Sequence, residues 1–123
     1  SRLEAVRQTI KNSFDLYRQH AQTIGKVSFL DQTDLVVEYA SFVGRVLFPE
    51  LEYTVGVDQK GGEYHIRVSR NHWLNKPSHI NIGIMLKEFR GGGHQNVGGT
   101  ETASDEEALK TANQIVEYLN NHE

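Results

Sequence analysis

The residues best suited to chemistry lie in one short run, Gly91-Gly92-Gly93-His94. Three consecutive glycines carry a high backbone entropy cost. That cost is worth bearing where the chain turns sharply or where another group must approach the backbone closely. Unobstructed peptide N–H groups in such a loop can cradle a phosphate. A histidine directly after the run can donate a hydrogen bond to an anion, and imidazole is the side chain whose charge changes near neutral pH. Gly98 and Gly99 follow, leaving room beside the next segment. A glycine-rich turn with an exposed histidine and no ligand is the plainer reading of the same residues.

The surrounding charge favours an anion. Residues 67–94 carry Arg67, Arg70, Lys76, Lys87 and Arg90 against the single acid Glu88, a net of +4 in a chain whose total is −3. His72, His79 and His94 lie in the same stretch. A local basic patch on an acidic body suits a small anionic ligand better than a long duplex bound without specificity. Arg70 and Arg90 are the cations expected to meet the ligand, with Asn71 and His72 beside them. Trp73 sits among them and could stack on a base, although a core or lid position is the commoner use of a lone tryptophan.

Metal and nucleophile signals are weak. The chain has no cysteine, so it has neither disulfides nor thiolate ligands. Asp15, Asp31, Asp34, Asp58 and Asp105 are each isolated from histidine in sequence. His65, His72 and His79 recur every seven residues, which matches no common ligand spacing, so no metal site is expected in this chain. His94 as a self-sufficient acid–base catalyst would lack a partner nucleophile.

These residues need a scaffold, and the pattern supplies an α/β domain. Leu3, Val6, Ile10, Phe14, Tyr17 and Ala21 predict an amphipathic helix over 2–22, ended by Gly25. Val27 to Leu30 reads as a buried strand. Thr33 is expected to cap a helix running to Leu47, apolar nearly all round and therefore central, with Pro49 as its stop. Residues 53–57 and 64–68 alternate as two strands of a hairpin turned by Lys60-Gly61-Gly62. A polar loop over 70–78, closed by Pro77, leads to a short helix capped by Ser78 and running to Phe89. A strand lies around Val97 to Thr102. Ser104 and Glu107 form a capping box for the last helix. The order α-β-α-β-β-α-β-α implies a mixed β-sheet flanked by helices. With 37% hydrophobic residues in 123, one domain is expected. No apolar run is long enough for a membrane span, and a cytoplasmic setting is expected.

The run Leu86-Lys87-Glu88-Phe89-Arg90-Gly91-Gly92-Gly93-His94-Gln95-Asn96-Val97-Gly98-Gly99-Thr100, preceded by Ile80-Asn81-Ile82-Gly83, resembles the signature of the C-terminal DHH-associated domain of DHH-superfamily phosphoesterases. Val68 to Asn75 and Ala40 to Pro49 resemble the exopolyphosphatase-related branch, alongside the RecJ-like and nanoRNase-like ones. The resemblance spans most of residues 35–120. It departs at Arg90, which stands where the family usually has a first glycine.

The resemblance implies a division of labour. Residues 25–123 would be the substrate-binding domain and residues 1–24 a linker-type helix leading into it. An N-terminal domain, carrying the Asp-His-His motif and manganese or magnesium, would supply the chemistry. This chain has no such tripeptide, opens on Ser1, and is expected to be a piece of a longer protein without activity alone. Gly91 to Gly93 and His94 would contact a nucleotide, short oligonucleotide or other phosphate-bearing substrate, with Arg70 as a second candidate. A polyphosphate-binding module, or a structural or homodimerising domain without ligand, are the alternatives.

Overall fold

The computed structural model describes residues 1–76 and 78–122. The elements are α1 (Arg2–His20), β1 (Gln22–Ile24), β2 (Val27–Gln32), α2 (Ala40–Leu47), β3 (Tyr53–Lys60), β4 (Glu63–Arg70), α3 (Ile82–Met85) continued by a 3-10 turn (Leu86–Phe89), β5 (Gly92–Gly93), β6 (Val97–Thr102) and α4 (Asp105–Asn121). The strands form one mixed sheet in the order β1-β2-β3-β4-β6-β5. Among the described residues, only β2 and β3 run parallel. Their connection passes through α2, as a parallel crossover requires. All eight expected elements are present, and two short strands at the sheet edges, β1 and β5, join them.

The two faces of the sheet carry separate cores. On one face Val27, Phe29, Val55, Val57, Ile66 and Val68 pack against Ala108, Ala112, Ile115, Val116 and Leu119 of α4, with Ile82, Met85 and Leu86 closing the layer. The apolar stripe of α4 is therefore buried as its periodicity predicts, and the Glu107 N–H donates to the Ser104 Oγ at 3.2 Å. The other face is covered over β2 by α1 and α2, through Tyr17, Leu30, Val37 and Val43. There the Tyr17 and Ser28 hydroxyls meet at 2.5 Å. Burial pushes the Tyr17 phenol above its ordinary range, partly offset by that bond.

Three boundaries differ from expectation, each for a local reason. Gly25 does not end a helix. It takes φ +59° in the turn between β1 and β2, where Asn120 bonds Lys26 N and Ile24 O. Thr33 does not cap a helix, because its N–H and hydroxyl both donate to Asp31 Oδ1, at 3.0 and 2.8 Å. This local turn competes with helix initiation, and α2 starts only at Ala40, after a left-handed Tyr39. Nor is α2 central. Val43 and Gly44 are buried while Phe42 and Val46 are exposed. Finally, Asn81 rather than Ser78 caps α3, accepting from Ile84 N at 3.1 Å. Pro77, expected to close the preceding loop, lies outside the described residues.

The β3–β4 hairpin follows the sequence closely. Gly61 and Gly62 both have positive φ, +61° and +82°, the two-glycine turn that suits strand twist. Its register sets Arg67 opposite Gly56 on one side and Gly99 on the other.

Candidate functional site

The glycine run is a strand rather than an open loop. Gly92 and Gly93 pair with Gly99 and Gly98 to make a tight β5–β6 hairpin whose tip is His94-Gln95-Asn96. Close packing explains most of the glycines. A Cβ on Gly91 would lie 2.7 Å from Thr100 Cβ, and one on Gly98 would lie 2.8 Å from Leu86 Cδ1. One on Gly93, which has φ +151°, would run into Gly98 and Val97. Gly83, in the first turn of α3, is needed for the same reason, since its Cβ would meet Gly93 C at 2.6 Å. Gly92 differs, because nothing lies within 4 Å of a Cβ built there.

The tip itself is held rigidly. Gly83 N donates to His94 O at 2.8 Å, Ile82 N to Gln95 O at 2.9 Å, and Arg70 N to Asn96 O at 2.8 Å. His94 N donates across the hairpin to Val97 O at 2.7 Å, and Gly91 N to Leu86 O at 2.8 Å. The expected cradle of free amides is therefore corrected at both ends of the run, where the N–H groups are already spent inside the chain. What the tip presents is a side chain. The His94 imidazole is exposed and has no hydrogen bond or ion pair among the described residues.

The other sequence-derived candidates sit close by, in unequal states. Arg70 ends β4, and its guanidinium donates to the carbonyl of Lys76. Asn71 is 2% exposed. Its amide donates to Pro49 O and Leu51 O at 3.0 and 3.3 Å, and its Oδ1 accepts from Trp73 N at 3.1 Å. Asn71 thus works as a strut of the 71–76 loop. Lys76 Nζ lies 2.5 Å from Glu52 Oε1 and fixes the far end of that loop. His72 is exposed with its ring against Trp73. Trp73 is 53% exposed, edge-on to Phe42 at 6.1 Å and under Arg45 at 5.2 Å. It sits on the surface, held in place by these two neighbours. Arg90 caps the 3-10 turn in the left-handed region, φ 62°, and its side chain has no partner among the described residues.

Sequence reasoning counted Arg67 in the basic patch and His65 among the spaced histidines but joined neither to Glu101. Arg67, His65 and Glu101 share the sheet face that α1 and α2 leave open, and with Arg90, Gly92 and Gly99 they line a cleft of about 550 Å³. The signal was the hairpin register, which alternates these positions with core residues. Among the described residues, Glu63, His65 and Glu101 form the one group with metal-ligand atoms close together. The two carboxylates face opposite ring nitrogens, Glu101 at Nδ1 (3.5 Å) and Glu63 at Nε2 (3.9 Å). His72 and His79 do not join the group.

No protein-family model and no curated protein matches the chain in sequence. Solved structures do match. A pGpG-specific phosphodiesterase, PggH, from Vibrio cholerae superposes with a TM-score of 0.85 over 99% of this chain, at 16% identity. The fold is shared with a phosphodiesterase. An exopolyphosphatase-related protein from Bacteroides fragilis matches over 91% of the chain, with a TM-score of 0.67 and 14% identity. The C-Ala domain of Aquifex aeolicus alanyl-tRNA synthetase matches over 82%, at 0.55 and 11%. The chain spans 42% and 35% of the first two proteins and 98% of the third. The chain thus shares its fold with an exopolyphosphatase-related protein, the branch that Val68 to Asn75 and Ala40 to Pro49 resemble in sequence. Among the described residues, no helix is long and apolar enough to cross a membrane.

Proposed function

We propose that this chain is a DHH-associated substrate-binding domain that holds the phosphate of a nucleotide or short oligonucleotide for a metal centre on another domain. The observation that carries this reading is His94, an exposed imidazole without a partner on a hairpin tip whose backbone is tied at four points. A side chain on a backbone so fixed can meet an anion with little further loss of backbone freedom. Arg70 and Arg90 would add charge, and Gly91 to Gly93 would let the ligand come close. Asn71 would keep the loop in place and His72 would lie at its edge. The fold likeness to a phosphodiesterase supports the class of ligand. Manganese or magnesium would belong to the other domain, in a cytoplasmic protein.

A covering partner is supported by the first half of α1. Leu3, Val6 and Ile10, on the apolar face of the amphipathic helix, are 62%, 50% and 42% exposed. Apolar surface of this kind marks an interaction site. An N-terminal domain is the occupant proposed, and a second copy of the chain is the competing one.

The test is calorimetric titration of the chain with pGpG and with inorganic tripolyphosphate at two salt concentrations. Binding that weakens as salt rises is expected. Absence of binding to both ligands would overturn the reading. Preference for tripolyphosphate would replace it with a polyphosphate-binding module.

A further inference from the structure

His65 stands between two carboxylates on the sheet face that α1 and α2 leave open. We infer that Glu63, His65 and Glu101 form a binding site for one divalent transition-metal ion, for which zinc is the best match. The site does not depend on the phosphate-binding reading.

Register builds it. His65 of β4 lies directly opposite Glu101 of β6. Glu63, two residues before His65 on the same strand, shares its face. The imidazole is the sheltered member, its side chain 19% exposed, while the carboxylates are 61% and 62% exposed. One donor atom from each residue lies within 4.8 Å of the other two. Tetrahedral bonds of about 2.0–2.2 Å place the donors of a zinc ion about 3.3 Å apart. Two solvent-exposed glutamates can close that difference by changing rotamer. The ion would join β4 to β6 four residues along β4 from the Ser69–Val97 pair, about 13 Å at about 3.3 Å per residue, and so away from the His94 tip. The spacing of the histidines does not show this site, because His72 and His79 take no part and Glu101 arrives by register.

The charges favour a cation. Among the described residues, Glu63 and Glu101 have no ionic partner except His65. Arg67, the next outward position of β4, is taken by Asp58 at 2.8 Å. Like charges held on neighbouring strands repel. A dication between the two carboxylates replaces that repulsion with attraction, and a neutral imidazole adds a nitrogen lone pair.

The donor types then select the ion. The chain has no cysteine, so soft thiolate chemistry is absent. One imidazole nitrogen with two carboxylate oxygens suits zinc, whereas magnesium and calcium favour shells of oxygen alone. Three protein donors leave a fourth position for water.

The experiment titrates tag-free wild type, Glu101→Gln, His65→Ala and His79→Ala with zinc and with magnesium, and records melting curves with and without zinc. Wild type should bind one zinc ion, melt at a higher temperature in its presence, as binding to the folded state requires, and bind magnesium far more weakly. Glu101→Gln and His65→Ala should lose at least the roughly 10- to 100-fold in zinc affinity that removal of a supporting residue costs at metal sites. His79→Ala should match wild type. Glu101→Gln keeps the shape of an exposed side chain, so it decides the matter if His65→Ala fails to fold. Absence of zinc binding by wild type would overturn the site. Equal zinc affinity in folded Glu101→Gln would overturn it too, leaving only adventitious binding by surface histidines.

Discussion

Gly83 of α3 packs directly on Gly93 of β5, so closely that a Cβ on Gly83 would lie 2.6 Å from Gly93 C and displace that strand. This contact, with the Gly83 N to His94 O bond beside it, links the helix to the hairpin tip. Gly83→Ala should therefore cost about 1–3 kcal/mol, as overpacking does, and weaken phosphate binding by displacing His94. Gly92→Ala, one residue away from the same contact, should stay within about 0.5 kcal/mol of wild type, as for other surface changes. Chemical denaturation of the two variants checks this, and similar losses would mean that the run is uniformly structural.

Arg90→Gly should separate stability from binding. Left-handed arginine costs about 1–2 kcal/mol, and the added freedom of an unfolded glycine costs about 0.5–1 kcal/mol. The variant should be about 0.5 kcal/mol more stable, yet its pGpG binding should respond less to salt because one cation has gone. A less stable variant with unchanged binding would make Arg90 a structural cap.

Tyr17 provides a pH test of the second core. Its folded pKa is raised from 10.0, chiefly by burial. The neutral phenol is thus the form the fold favours. Its contribution is complete below pH 10 and declines as pH rises toward the folded value. Tyr17→Phe leaves the Ser28 hydroxyl unpaired and should cost about 1–3 kcal/mol at neutral pH. The gap between the two proteins should narrow above pH 10, and a constant gap in alkaline denaturation curves would contradict this.

Much of this was legible in the sequence, and the failures share a cause. The α4 stripe, the β3–β4 hairpin and the apolar positions of α3 follow from periodicity and turn chemistry. The region before α2 was misread because Asp31 captures Thr33 locally, a competition that apolar spacing does not reveal. The glycine run was read as a loop because only tertiary pairing with Gly98 and Gly99 makes it a strand. Arg67 was counted only as one charge of the basic patch and Glu101 was not singled out, because what joins them is register across β4 and β6. Asn71 was named as a neighbour of Arg70, but its engaged amide could be seen only once Pro49 and Leu51 were placed beside it.

With manganese added, the chain alone should turn over neither pGpG, nor a cyclic dinucleotide, nor polyphosphate. A discontinuous assay on protein purified to constant specific activity measures this. Turnover that disappears in His94→Ala would instead support a self-sufficient catalyst.

The most direct test of the central claim is a titration of wild type and His94→Ala with pGpG, alongside a melting curve for each. The exposed imidazole lacks packing partners, so the variant should melt like wild type. Loss of one hydrogen bond to a charged group, about 1.5–3 kcal/mol, should weaken its binding by roughly 10- to 150-fold. Equal affinities for the two proteins would remove His94 from the site and contradict the account.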